Sequence, residues 1–453
     1  RENGGHGARL RLDTDNVSGE SLLPWETPLR EYGVADQSVE SSGFIKNWWF
    51  GLSALHTLFA REHNAIVNML EGTDDYQQVE PGARDEWLYQ TARLINGALM
   101  AKIHTVEWTT TLLNDPMIQL GLLLDWWGIN VDELKAKLPD LARLPADHLW
   151  KLITAAIERD GDGIAQMVVE NRPADRHAPS PVEKDARHQD IMFAMSEEFV
   201  SVYRMHALLR EQTTIHTLGG ERPETVSLKD GSFGGARPLV EKHGLASIFL
   251  TLGREEPGAL RLRNYPKSLV TLTVSDSPSP IDLGAVDILR DRERGVPRYA
   301  AFKRYISHIR GPYGPKTSEQ PIKRFEDICG DPAQSGVNDD ERTRRERDLA
   351  ALRTTYANVD DVDLLVGMLC EPLPDGFAFS WTAFEIFLLM TPLRLSVDRF
   401  FTDDYRAEIY TQAGLNWINQ ETMQSVLIRH YPELADVLTD EGNPFLQSGW
   451  RDI

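Results

Sequence analysis

Cysteine is nearly absent: Cys329 and Cys370 are the only two in 453 residues. They are far apart in the chain, with no Cys-x-x-Cys spacing and no clustered histidines, so neither a disulfide scaffold nor a zinc module is available and a reducing compartment fits. Long apolar runs are missing too. The richest stretch, Phe384 with Ile386–Met390, is interrupted by Glu385 and closed by Pro392, short of the ~18 residues that span a bilayer. Basic side chains are outnumbered 48 to 69, and the resulting charge of −21 repels phosphate backbones and anionic headgroups, which argues against a nucleic-acid partner. Arg1–Gly7 (RENGGHG) lacks the basic, apolar and small-residue order of a signal peptide and reads as an internal start. A cytoplasmic location is expected, with peripheral membrane contact left open.

What is present is an ordinary folded composition, 41% hydrophobic and 26% charged. Residues 1–43 carry Gly, Asp, Ser and Pro punctuation around one alternating stretch, Arg9–Leu12, and read as a loop-rich segment with at most a short strand. From Phe44 to Leu70, the residues Trp48, Leu52, Leu55, Phe59, Ile66 and Leu70 recur mostly three, four and seven apart, which predicts an amphipathic helix. A second helix is predicted over Asp85–Leu113, between Pro81-Gly82 and Asn114-Asp115-Pro116. Ser196 ahead of Glu197 and Glu198 is an N-cap with first-turn acids, opening a helix with Phe199, Val202, Tyr203 and His206 on one face. Thr213–Ile281 reads mostly as loop with a few strands such as Leu269–Val274, and Lys316–Glu346 as a solvated charged excursion. A final helical block runs from Ser380 to about Leu438 with a break at Pro392. The expected fold is mainly α with few short strands, residues 1–43 leading into one catalytic domain over 44–453.

Tyr203 and His206 are three apart, so on a helix both project from one face of an otherwise apolar stripe, where a buried imidazole could bind iron. Spacing alone does not select them, because Tyr305 and His308 repeat it among Lys303, Arg304 and Arg310.

Context selects them. Ala54–Asn64 (ALHTLFAREHN) resembles the LHTLFxREHN helix of the haem peroxidase/cyclooxygenase superfamily, and Asp282–Pro297 (DLGAVDILRDRERGVP) is similar to its second signature, in the same chain order. Within that superfamily the chain is most similar to the fatty-acid α-dioxygenases, through Ala101–Thr109 (AKIHTVEWT), Glu197–His206 (EEFVSVYRMH) and Leu393–Phe401 (LRLSVDRFF). The likeness extends from about Phe44 to about Leu438. The resemblance implies a helical haem domain with His206 as the proximal iron ligand, Asp287 as the carboxylate on its other nitrogen and Arg290 as partner of a haem propionate. It implies that Tyr203, where the peroxidase branch usually has Arg, is oxidised to a tyrosyl radical that takes a hydrogen atom from the substrate, so that dioxygen adds and a 2-hydroperoxy acid forms. His104, Thr109 and Arg394 match the residues that anchor the fatty-acid carboxylate. His104 and Thr109 are five apart, hence about 140° apart on an α-helix.

His56 and Arg61-Glu62-His63-Asn64 look catalytic, yet the resemblance makes this helix mainly scaffold. Two departures stand out. Trp48 lies where animal peroxidases carry a haem-linking Glu, so non-covalent haem b is expected, and Lys46 stands near the place of a distal Arg. The family's distal His and calcium loop lie upstream of the LHTLFxREHN helix, and His6, the only earlier His, lacks their motif. A preceding segment or separate chain is therefore expected to supply both. The runner-up readings are a haem peroxidase acting on phenols or halides with hydrogen peroxide, and a non-catalytic haem-binding relative.

Overall fold

The computed structural model describes residues 1–14, 19–26, 39–41, 48–115, 118, 119, 122, 126, 195–219, 222–273, 279–310, 321–440 and 442–451, the side chains of 307–310, 392, 393, 396 and 397 excepted. The expected helix start at Phe44, Lys46 and part of the 316–346 segment lie outside these residues.

Helix α1, Phe50–Glu71, begins where the chain leaves an extended pairing: Trp49 bridges Ser232, and Phe233 N–H donates to the Trp48 carbonyl at 2.8 Å. Gly231 is required beside it, since a Cβ there would stand 2.8 Å from the Phe50 ring. The fully buried stripe runs through Ala54, Leu58, Ile66, Val67 and Leu70, so of the spaced residues only Ile66 and Leu70 lie on it; Leu52, Leu55 and Phe59 are half-buried and Trp48 precedes the helix. Helix α2, Arg84–Ile103, packs along α1 and passes into a π turn, His104–Trp108, and a last turn, Thr109–Leu112. Helix α3, Glu197–Val202, is capped by Ser196, whose Oγ accepts from Phe199 N–H at 3.2 Å, as expected.

The segment expected as loop instead holds two helices, α4 (Ala236–His243) and α5 (Leu245–Arg254). They were hidden because α4 opens on Gly234-Gly235 with Pro238 in its first turn, and because Leu245–Thr251 is a continuous buried run whose polar members, Ser247 and Thr251, are themselves buried. The described part of the expected strand, 269–273, is likewise no strand. Lys267–Val270 is one helical turn, followed by a bridge from Leu272 to Ile281. Helices α6 (Leu283–Glu293), α7 (Tyr299–Arg310), α8 (Glu326–Cys329), α9 (Asp339–Thr355) and α10 (Leu364–Cys370) follow. The charged excursion is mostly exposed in its described part, as expected, but its C-terminal end enters a buried ion network. Arg344 joins Glu341 at 2.7 Å and Asp348 at 2.8 Å, Arg345 joins Glu341 at 2.9 Å, and Asp348 is fully buried. Among the charged residues of that described part only Arg344 and Arg345 are buried, neutralised over the core by Glu341 and Asp348.

Helix α11, Trp381–Val397, runs through Pro392 instead of breaking there, and the break falls at Asp398. A proline inside a helix costs about 3 kcal/mol. Buried Phe384, Phe387, Leu388 and Leu395 outweigh it at roughly 1.5 to 3 kcal/mol each. Helices α12 (Gln412–Gln420) and α13 (Met423–His430) close the chain against α1. Strands among the described residues are three antiparallel pairs: β1–β2 (Asp13–Thr14, Ser21–Leu22), β3–β4 (Trp25–Glu26, Val39–Glu40) and β5–β6 (Gln212–Ile215, Glu224–Ser227). Three apolar clusters form the core. One gathers α1, α4, α5 and α13; one gathers α1, α2 and α12; the third, which positions the site, packs α3 against α7, α9, α10 and α11. No described helix is long and apolar enough to cross a membrane.

Candidate haem and substrate site

Phe199 and Val202 anchor α3 in the third cluster, and the helix then stops. Tyr203 is its C-cap, Arg204 leaves helical geometry (φ −71, ψ 59), and Met205–Leu208 forms a 3-10 turn. Tyr203 and His206 therefore do not share a regular helical face, contrary to the spacing argument. The break has a cause at Asp287. Residues two apart on an α-helix point about 200° apart, yet Arg204 and His206 both reach this one carboxylate, at 3.2 Å (Nη1 to Oδ1) and 3.0 Å (Nδ1 to Oδ2). Asp287 is 1% exposed on α6, which Asp282 caps by accepting from Ala285 N–H. A third donor, the Tyr265 hydroxyl, reaches Oδ2 at 2.9 Å.

The 3-10 turn is clamped from behind. Gly258 N–H donates to the Leu208 carbonyl at 2.8 Å and Asn264 Nδ2 to the Ala207 carbonyl at 3.0 Å. A Cβ at Gly258 would stand 2.1 Å from the Ala207 oxygen, so only glycine permits the approach. Ser201 Oγ donates to Asp291 Oδ2 at 2.7 Å, and burial raises the Asp291 carboxyl above its ordinary pKa.

With Nδ1 committed to Asp287, Nε2 is the His206 nitrogen left for a ligand, and the imidazole is 31% exposed. An imidazole with a carboxylate on its second nitrogen is the donor set that haem iron takes. The Tyr203 ring rests on Phe199 with centroids 4.9 Å apart, and partial burial pushes its phenol up to about 12, so it stays protonated at neutral pH. Arg290 is exposed on α6, one turn beyond Asp287.

His104 and Thr109 are brought together by the π turn. Thr109 N–H and its hydroxyl both donate to the His104 carbonyl, the latter at 2.7 Å, which stacks the two residues where α geometry would have separated them. Burial lowers the His104 pKa, so the ring is neutral, and it lies 4.9 Å from the Trp108 ring. Arg394 sits on α11, half-buried, next to Leu395, which shares a cluster with Val106 of the π turn. The sequence reading missed Arg204 and Tyr265. Arg204 lies inside the EEFVSVYRMH stretch, whereas Tyr265 follows a turn-rich segment with no motif and is found only through its contact with Asp287.

The signature helix ties elements together. Glu62, fully buried, accepts from Trp417, Arg429 and His430; His63 Nε2 lies 3.1 Å from the Ala8 carbonyl; Asn64 pairs with both backbone groups of Leu10. His56 packs edge-on against Trp48, with ring centroids 5.2 Å apart.

The profile of the animal haem peroxidase family matches residues 1–140 and 166–441. "Alpha-dioxygenase 1" of Arabidopsis thaliana is 33% identical over 410 residues, which are 87% of this chain and 54% of that protein. The crystal structure of the Arabidopsis thaliana fatty acid alpha-dioxygenase superposes with a TM-score of 0.68 at 28% identity, covering 99% of this chain and 61% of that one. A variant of the Oryza sativa fatty acid alpha-dioxygenase, solved with palmitic acid, superposes at 0.66 and 28% identity over 91% of this chain and 60% of that one. The chain thus spans little more than half the length of the relatives it matches. Both the fold and the family profile, matched over most of the sequence, lead to one assignment: the chain belongs to the animal haem peroxidase family.

Proposed function

We propose that this chain carries the proximal haem site and the carboxylate anchor of a fatty-acid α-dioxygenase, which converts a long-chain acid and dioxygen to the 2-hydroperoxy acid. The observation that carries the reading is a protonated Tyr203 three residues before His206, whose Nδ1 is held by the buried Asp287. The fatty acid α-dioxygenases among the relatives, one of them solved with palmitic acid, support it.

Haem b, held without a covalent link through His206 Nε2, would supply the one-electron oxidation of the Tyr203 phenol. The phenoxyl oxygen then takes a hydrogen atom from the carbon beside the carboxylate, dioxygen adds to the carbon radical, and the hydrogen returns from Tyr203 to complete the hydroperoxide. Arg394 supplies the positive charge for the carboxylate, and neutral His104 adds an N–H without a second charge. Thr109 can join only if its hydroxyl turns from the His104 carbonyl. Arg290, exposed on α6 one turn beyond Asp287, would pair with a haem propionate. In this reading the distal histidine and any calcium loop belong to sequence outside these 453 residues, and the enzyme works in the cytoplasm or peripherally at a membrane.

Oxygen uptake with palmitate by the haem-loaded protein tests the proposal. Tyr203→Phe should keep haem and lose uptake, since it removes the phenolic hydrogen and little volume. Uptake that survives in Tyr203→Phe defeats the radical mechanism. Peroxide-driven phenol oxidation without any fatty-acid uptake in the parent replaces the reading with a peroxidase.

A further inference from the structure

Tyr265 enters neither the sequence signatures nor the substrate contacts, yet it donates to the same carboxylate oxygen that holds His206. Asp287 Oδ2 accepts from His206 Nδ1 at 3.0 Å and from the Tyr265 hydroxyl at 2.9 Å, while Oδ1 faces Arg204 at 3.2 Å. The Tyr265 ring is fixed from two sides. It lies 5.5 Å, centroid to centroid, from the His206 imidazole, and it packs on Gly284, where a Cβ would stand 3.4 Å from its Cδ2. Gly284 is one turn before Asp287 on α6, so the ring rests on the helix face that presents the carboxylate. Asn264, its neighbour, bonds the Ala207 carbonyl next to His206, so the two residues enter the site on segments clamped to each other.

We propose that Tyr265 is a positioning residue for the haem ligand, sharing Asp287 Oδ2 so as to limit the negative charge that the carboxylate passes to His206. The inference rests on the reading of His206 as the iron ligand. Its physical basis is that a carboxylate oxygen accepting from two donors is a weaker acceptor for each, and the groups behind a ligating histidine set its basicity and through it the electron density at the metal. Without the phenol, Oδ2 is left to His206 alone, the N–H···O bond strengthens and the imidazole gains imidazolate character. Arg204 stays on Oδ1, so the carboxylate keeps its charge partner and the fold has no reason to fail.

The test uses the haem-loaded protein, read by the resonance Raman band of the ferrous iron–histidine stretch and by the ferric/ferrous midpoint potential. Tyr265→Phe should retain haem, raise the band frequency and lower the potential, whereas Asp287→Asn should move both the other way. A fluorinated tyrosine at position 265, with the same shape and a stronger hydroxyl donor, should shift both opposite to Tyr265→Phe; it also serves if the phenylalanine variant folds poorly. A band and potential unchanged in Tyr265→Phe and in the fluorinated protein, but moved in Asp287→Asn, overturns the proposal and leaves Tyr265 a packing residue. Failure of the underlying reading looks different: the wild-type band would then persist in His206→Gly, where it should vanish and return with added imidazole.

Discussion

Glu62→Gln separates a catalytic from a structural role for the His56–Asn64 signature. Glu62 is fully buried on α1 and receives Trp417 Nε1 at 2.8 Å, Arg429 Nη1 at 2.7 and 2.9 Å, and lies 2.7 Å from His430 Nε2. Removing one partner of a buried ion pair ordinarily costs about 3 to 5 kcal/mol. Glutamine keeps one carbonyl for a donor, and Arg429 retains Glu421, so the low end, about 3 kcal/mol, is expected. The pH dependence carries a sign. Burial by itself raises the Glu62 carboxyl, but the bond from His430, the Arg429 charge and the bond from Trp417 outweigh it and hold the group below its ordinary 4.5. A carboxyl depressed on folding contributes stability that is present above its unfolded pKa and is lost as pH falls through its folded pKa. The deficit of Glu62→Gln against wild type should therefore be full at neutral pH and shrink below about pH 4.5. Urea unfolding followed by circular dichroism and tryptophan fluorescence measures it. A variant with wild-type stability that loses activity would refute the structural reading and return Glu62 to the chemistry.

Three further outcomes follow from the geometry. His206→Ala should abolish the haem absorbance and lower stability, because cofactor binding contributes to the folded state, whereas His308→Ala should do neither; normal haem content in both would displace the axial assignment. Arg394→Ala should spare haem and weaken fatty-acid use by about 1.5 to 3 kcal/mol, the worth of a charge-assisted bond, read as a fall in kcat/KM for palmitate; an unchanged kcat/KM would remove Arg394 from the site. Cys329 and Cys370 are fully buried, and the bond between their thiols, with burial, raises the Cys370 pKa, so native protein should resist iodoacetamide and denatured protein should take two labels; labelling of the native state would contradict the packing of α8 on α10.

The Cys329–Cys370 contact shows where a linear reading ends. Their separation ruled out a local motif, and nothing in either neighbourhood announces that α8 and α10 meet. The charged Asp339–Glu346 run is similar, since the same residues serve a solvated face or a buried network according to what lies beneath them. The π turn at His104 overturned an angular argument that was sound for an α-helix, because one extra residue in a turn moves every later side chain.

What the sequence by itself determined is the part governed by near neighbours and by whole motifs: the presence of α1, the start of α2 near Asp85, the Ser196 cap, the mainly helical class, and the family through the stretches around His56, His206 and Asp287. Tertiary structure alone decided the site's inner arrangement. Asp287 collects Arg204 and His206 from one turn and Tyr265 from a second, distant segment, and α3 stops at Tyr203 so that two residues of that turn can reach the same carboxylate. The physical reason is range. Caps and periodicity act between residues three or four apart and leave their mark on composition, whereas the meeting of side chains across a core is settled by how all the helices pack at once.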